Sequence, residues 1–136
     1  MIRRWQPEIL VSSDPLNLFP TDTRINHPDH RAAGQAVVDA AFPAVGNPMF
    51  FPELILEEGL QPHSVQEIWL SATAQPNLLI DVTDQFETKL AAIHCHRSQI
   101  NLPLDQFDAM MRQRLVKDDE TGKEFYKEQF KRIKFG

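Results

Sequence analysis

The chain has 136 residues, of which 42% are hydrophobic and 24% are charged, and its formal net charge at pH 7 is −5. This length allows one domain, and the composition supports a buried core, which excludes wholesale disorder. The negative charge gives no electrostatic reason to expect nucleic acid as a partner, and no apolar run is long enough to predict a membrane span.

Cys95 is the single cysteine, which excludes an internal disulfide and fits a reducing, cytoplasmic compartment. Its helical surroundings favour a core or half-buried thiol over a nucleophile. Arg3 and Arg4 are basic residues near the amino terminus, but no apolar segment follows them. We therefore do not expect a signal peptide.

The first half of the chain predicts alternating helices and strands. In order, these are a helix end at 2–5, a short buried strand at 8–13, a helix at 28–42 and a short helix at about 54–58. Pro28 suits the first position of its helix, where the N–H that proline lacks would have no partner.

The second half continues the alternation. It predicts strands at 67–71 and 78–82, helices at 83–99 and 104–115, and a basic amphipathic segment at 126–135. Asp84 and Glu87 have the spacing of a capping box at the start of the first of these helices. Strands alternating with helices predict an α/β fold with a mostly parallel sheet and helices on both faces.

Three short strands make a sheet of few strands, and only the last turn of a helix precedes the first of them. Parallel strands need neighbours and cover on both faces, so a sheet this small leaves an open edge. We interpret residues 1–136 as one partial domain that lacks its N-terminal strand–helix units. An open edge also predicts marginal solubility, or association into a homo-oligomer.

The segment His27-Pro28-Asp29-His30 carries the clearest chemical signal, with two imidazoles and a carboxylate at the mouth of a predicted helix. Spacing alone would favour surface or capping roles for His27 and His30, because short motifs recur by chance. For Asp29, simple helix capping and orientation of a histidine ring are equally good interpretations.

Several segments together resemble the C-terminal part of the PIG-L/LmbE-like zinc-dependent N-deacetylases, which include N-acetylglucosaminyl-phosphatidylinositol de-N-acetylases. They follow the order of that family and cover nearly the whole chain. The matching segments are Ser12-Ser13-Asp14-Pro15, His27 through Gly34, Phe50 through Leu54, Val65 through Leu70, Asp81 through Asp84, Lys89 through Ala92, His96 through Gln99, and Tyr126 through Phe130.

The resemblance implies a Rossmann-like domain that removes an N-acetyl group from an amino-sugar-containing small molecule, using water activated by zinc. It implies that His30 is a metal ligand, that His27 donates a proton and stabilises the oxyanion, and that Asp29 supports them. Family members also carry a His-Pro-Asp-Asp-Glu motif that supplies further ligands and a base, and this sequence has none. The resemblance therefore implies half of a site, and whether the isolated chain is an enzyme stays open.

Two further residues are candidates for the substrate pocket. Asp14 follows a predicted strand, where ligands of open α/β sheets bind, although a turn-starting Asp before Pro15 is the simpler interpretation. His96 could support the pocket or only pack. The expected partner is a small N-acetylated molecule, and the alternative is a catalytically inactive fragment or a non-enzymatic module that binds a metal or a partner.

Overall fold

The computed structural model describes all residues, Met1–Gly136. Five α-helices and six strands are α1 (Ile2–Trp5), β1 (Ile9–Ser13), α2 (Pro28–Asp39), α3 (Glu53–Leu56), β2 (Glu67–Ser71), β3 (Leu78–Asp81), α4 (Phe86–His94), α5 (Leu104–Arg112), β4 (Val116–Lys117), β5 (Glu124–Phe125) and β6 (Lys127–Lys134). The main sheet has the strand order β1-β2-β6-β3.

The chain divides into two compact units. Unit 1 comprises Met1–Leu78 and Gln129–Gly136, and unit 2 comprises Leu79–Glu128. The interpretation of residues 1–136 as a single partial domain stays a prediction. No helix in the chain has the length and hydropathy needed to cross a bilayer.

The sheet confirms the predicted α/β class but is mixed rather than mostly parallel. β1 and β2 run parallel, whereas β6 pairs with β2 in the antiparallel direction. β1 has a single neighbour and lies at the edge of the sheet, so the open edge that the sequence predicted is present, but at a strand that was expected to be buried.

β6 is a strand of the main sheet that the sequence pattern did not reveal. Its two apolar residues, Phe130 and Ile133, are three apart, which is a helical spacing and gives no alternation. The segment is a strand because its backbone pairs with β2, where Ile133 aligns with Ile68. Tertiary pairing overrides local propensity here.

The two faces of the sheet in unit 1 differ in burial. Leu10, Ile68 and Ile133 share the inner face, where Ile68 is only 1% exposed and packs in a core with Ala41, Val45, Val65 and Leu70. The opposite face, which we call the open face, carries Ile9, Val11, Trp69 and Phe130. Ile9 is 40% exposed and Val11 is 60% exposed, so the open face presents apolar side chains to solvent.

An ion pair also lies on the open face. Arg132 donates to both carboxylate oxygens of Glu67, and the indole of Trp69 donates to Oε2 at 2.7 Å. These hydrogen bonds stabilise the charged form of the carboxylate, and the contribution of Arg132 is the largest. Together they lower the pKa of Glu67 from 4.5 to about 2.

This lowered pKa predicts an acid dependence of stability. A carboxyl group whose pKa is lower in the folded state stabilises fully above the unfolded value and loses that contribution as the pH falls through the folded value. We expect the free energy of unfolding to fall between pH 4.5 and about 2, measured by urea denaturation at a series of pH values. Glu67→Gln should flatten this part of the profile, whereas the exposed control Glu57→Gln should not. Equal acid slopes in the wild type and Glu67→Gln would contradict the assignment.

Helix α2 ends earlier than predicted. It stops at Asp39, and the chain kinks within residues 40–44, where Phe42 has the extended angles φ −147° and ψ 125°. A residue that precedes proline is disfavoured in the helical region, and Pro43 imposes that restriction on Phe42.

Unit 2 has its own small core of Phe86, Leu90 and Met111. Helix α4 ends at His94, five residues before the predicted end, and His94 Nε2 lies 2.6 Å from Asp108 Oδ1 on α5. The sequence predicted no strands between α5 and β6, but β4 and β5 pair there as an antiparallel hairpin.

Two further local predictions in unit 2 are wrong. No capping-box hydrogen bond joins Asp84 and Glu87, because Glu87 instead pairs with Arg112 through two hydrogen bonds. Cys95 is exposed rather than part of the core, and its thiol donates to the carbonyl oxygen of Ala91 at 3.5 Å.

Candidate active site

Gly34 fixes the position of α2 against the sheet. A Cβ atom built on Gly34 would lie 2.2 Å from the carbonyl oxygen of Ser13, the last residue of β1. Only glycine allows the helix to approach the strand this closely. His30 precedes Gly34 by four residues, so it lies about 6 Å along the helix axis from this contact. The histidine motif therefore lies at the carboxyl end of β1.

His27 is the N-cap residue of α2. Its Nδ1 accepts a hydrogen bond from the backbone N–H of Asp29 at 3.2 Å, and in this arrangement the N–H of the ring is at Nε2. The side chain of Asp29 approaches Nδ1 only to 3.7 Å, which is too long for a hydrogen bond. His27, and not Asp29, thus caps the helix, and Asp29 contributes its negative charge to the first turn.

The rings of His27 and His30 lie side by side, with centroids 5.6 Å apart and planes at 47°. Both residues and Asp29 are exposed, so these groups are accessible to a ligand. The arrangement predicted from the motif is therefore present on one helix turn. An exposed imidazole with Nε2–H can donate a hydrogen bond to an oxygen that gains negative charge.

The same residues fit a zinc ion only in part. Imidazole is a preferred zinc ligand, and catalytic sites take three protein ligands and leave one position open. No group of three His, Cys, Asp or Glu side chains in the 136 residues converges on one point. His27 and His30 are therefore two candidate imidazole ligands with no third candidate ligand beside them.

Asp14 lies beside a cavity at the carboxyl ends of β1 and β2. The cavity has a volume of about 230 Å³ and a mixed polar and apolar lining that includes Asp14, Asn17, Thr73, Gln75 and Lys131. Asp14 is 9% exposed, and its Oδ1 accepts from the backbone N–H of Leu16 at 2.9 Å. This is the position in which open α/β sheets bind ligands.

No family model matches the chain, but individual relatives do. The chain is 37% identical over 100 residues to a diacetylchitobiose deacetylase from Thermococcus kodakarensis, a match that covers 73% of this chain and 34% of that protein. The solved structure of N,N'-diacetylchitobiose deacetylase from Pyrococcus horikoshii, complexed with its inhibitor MPG, superposes with a TM-score of 0.74 at 30% identity. That superposition covers 98% of this chain and 48% of the solved chain.

The resemblance predicted from the sequence is confirmed, because both relatives are deacetylases of the PIG-L/LmbE type and the likeness covers most of this chain. This chain spans about half the length of the solved relative and about a third of the Thermococcus protein. The fold of the solved relative extends over nearly all of this chain, including β6 and the helix that carries the histidines.

His96 belongs to unit 2, whereas His27 and His30 belong to unit 1. It is exposed, and it precedes a short 3-10 turn in which its carbonyl accepts from the N–H of Gln99 at 2.9 Å. A pocket role for His96 stays a prediction.

Sequence reasoning missed two polar groups that flank the histidine motif. Asn26 is 8% exposed and its side-chain Nδ2 has no hydrogen-bond partner, and Nε of Arg31 is likewise buried without a partner. These are the only two buried side-chain polar atoms in the chain that lack a partner. No signal in the sequence marks them, because the fold decides whether a polar atom finds a hydrogen-bond partner.

Proposed function

We propose that this chain supplies the histidine-bearing half of an active site that removes the N-acetyl group from an amino-sugar-containing small molecule. The observation that carries the proposal is the exposed pair His27 and His30 at the carboxyl end of β1, in a chain similar to diacetylchitobiose deacetylases. The relatives are named for an acetylated disaccharide, so a small acetylated amino sugar is the proposed substrate class.

His27 is proposed to hold and move a proton at Nε2. The backbone N–H of Asp29 occupies Nδ1, so Nε2–H is the atom that can donate to the oxygen of the acetyl group as charge develops on it. A second proton on the ring would occupy Nδ1 and release the backbone N–H of Asp29, and the carboxylate of Asp29, 3.7 Å from Nδ1, would then stabilise the charged ring. Asp14, in the cavity at the end of β1, is proposed to contact polar groups of the substrate.

His30 is proposed to be a zinc ligand, with the remaining ligands coming from outside these 136 residues. When bound, zinc supplies Lewis acidity, which acidifies a water molecule and polarises an amide carbonyl. This proposal includes zinc as the metal and an acetylated amino sugar as the substrate. It also includes the cytoplasmic compartment expected from the single cysteine.

The proposal predicts different behaviour for the isolated and the completed protein. The isolated chain should retain less than stoichiometric zinc after gel filtration and should release no acetate from N,N'-diacetylchitobiose, because one or two imidazoles do not make a zinc site. Fusion to the part of the Pyrococcus horikoshii enzyme that this chain does not cover should restore zinc binding and acetate release.

Variants of the fusion then separate the two histidines. His30→Ala should lower the zinc content, whereas His27→Ala should retain zinc and slow acetate release by about 10²–10⁴-fold. His63→Gln is the control, because His63 bonds the Pro7 carbonyl and takes no part in the motif. Tight stoichiometric zinc in the isolated chain would contradict the incomplete donor set. A folded, zinc-loaded fusion without activity would favour the non-enzymatic alternative.

A further inference from the structure

A cavity of about 790 Å³ in unit 1 lies at the edge of the sheet opposite to the histidine motif. Its lining includes Val65 and Gln66, which directly precede β2, and Phe135, which directly follows β6. Because β1 and β2 are parallel and β6 is antiparallel to β2, these residues lie at the amino end of β1, whereas the histidines lie at its carboxyl end. Small-molecule sites have volumes of about 300–1,000 Å³. The cavity thus has the size of a ligand site and is separate from the proposed catalytic groups.

Two phenyl rings line this cavity without stacking directly on each other. The planes of Phe42 and Phe135 are 23° from parallel, and their centroids are 6.5 Å apart. Aromatic carbons in direct contact are about 3.5–4 Å apart, so a third flat ring inserted between two others requires a separation of about 7 Å. Phe42 is 68% exposed and Phe135 is 36% exposed, so a ligand can reach both rings. The spacing of the pair therefore suits a planar aromatic molecule.

Two side-chain amides of the cavity can bond such a molecule. The backbone N–H of Phe135 donates to the carbonyl oxygen of Gln66 at 2.9 Å, and side chains that face each other across two strands lie about 5 Å apart. The side-chain amide of Gln66 is exposed and makes no hydrogen bond within the chain. The Oδ1 of Asn47 accepts from the N–H of Met49 at 2.9 Å, which leaves both donors of Nδ2 available. The cavity therefore combines an aromatic pair with free donors and an acceptor.

We propose that this cavity binds a purine base of the adenine type, carried by a free nucleoside or nucleotide. The base lies between the rings of Phe42 and Phe135, since bases stack well on aromatic side chains. The amide of Gln66 bonds the edge of the base, because a glutamine amide matches the adjacent donor and acceptor of adenine. The Nδ2 of Asn47 donates to a second acceptor of the ligand. The net charge of −5 opposes a polyanionic nucleic acid as the source of the base.

The experiment titrates the 136-residue chain with adenosine, with ribose as the probe that lacks the base and a short oligoadenylate as the nucleic-acid probe. Isothermal titration calorimetry measures Kd, and chemical-shift changes of the backbone amides locate the ligand. We expect one-to-one binding of adenosine, no binding of ribose, and no tighter binding of the oligoadenylate. The amides of Asn47, Gln66 and Phe135 should shift, whereas those of Asp29 and His30 should not.

Variants with matched controls identify the residues that hold the base. Phe42→Ala and Phe135→Ala should each raise Kd for adenosine about fivefold or more, because each removes one stacking face. Phe19→Ala is the control, since Phe19 is 67% exposed, as Phe42 is 68% exposed, and does not line the cavity. Gln66→Glu should also raise Kd about fivefold or more, because a carboxylate has no donor. Gln99→Glu makes the same change at an exposed position of unit 2 and should leave Kd unchanged.

Thermal unfolding confirms that each variant is folded, and Gln66→Glu keeps the test open if the loss of a phenyl ring unfolds the chain. The adenine site is refuted if adenosine does not bind, if ribose binds equally well, or if the variants and their controls have equal effects. Tighter binding of the oligoadenylate would make single-stranded nucleic acid the occupant and would also refute it. Adenosine binding requires neither zinc nor acetate release, so its outcome is independent of the proposed catalytic function.

Discussion

Replacing Arg3 by methionine is expected to lower the free energy of unfolding by about 3–5 kcal/mol. Arg3 is 4% exposed, and no carboxylate pairs with it. Its guanidinium instead donates to five backbone carbonyls, those of Ala44, Val45, Asn47, Phe50 and Phe51. One side chain from α1 thus holds the segment 44–51, and a methionine in its place would leave those carbonyls without this donor.

The control for this experiment is the neighbouring residue. Arg4 is exposed and pairs with Glu58 on the surface, so Arg4→Met should cost no more than about 1 kcal/mol. Urea denaturation of both variants measures the difference. If both changes cost the same small amount, Arg3 does not organise the 44–51 segment.

Gly34→Ala is the change with the next largest expected effect, a loss of about 1–3 kcal/mol in the free energy of unfolding. The new methyl group would lie 2.2 Å from the backbone oxygen of Ser13, so α2 must move away from β1. The side chains of His27 and His30 are carried by this helix and would move with it. We therefore expect the fusion described above to lose acetate release as well as stability.

Gly46→Ala is the matched control, because a Cβ atom there would meet only the carbonyl of His63, at an ordinary 3.6 Å. It should unfold within about 0.5 kcal/mol of the wild type. Chemical denaturation of both variants, with acetate release from the corresponding fusions, separates the close approach from a general intolerance to added methyl groups. A Gly34→Ala variant as stable as the Gly46→Ala control would show that α2 can shift without loss.

The sequence predicted the start of the histidine-bearing helix well, because that information is local. Proline at the first helical position fixed the start of α2, and the four-residue motif fixed which rings share its first turn. The sequence did not decide whether Asp29 caps the helix or orients a histidine ring, since the side chains of His27 and Asp29 can both cap the N-terminus of α2. Only the tertiary structure shows that the ring of His27 accepts a hydrogen bond from the backbone N–H of Asp29.

The amino-acid sequence by itself determined the α/β alternation, the start of the histidine-bearing helix, the presence of an open sheet edge and the family resemblance. These follow from periodicity, turn residues and short motifs, which are properties of neighbouring residues. Only the tertiary structure decided that β6 is an antiparallel strand, that Arg3 is buried among carbonyls, and that the donors of Asn26 and Arg31 have no partner. Strand pairing, burial and hydrogen-bond satisfaction depend on residues far apart in the chain, so no local pattern encodes them.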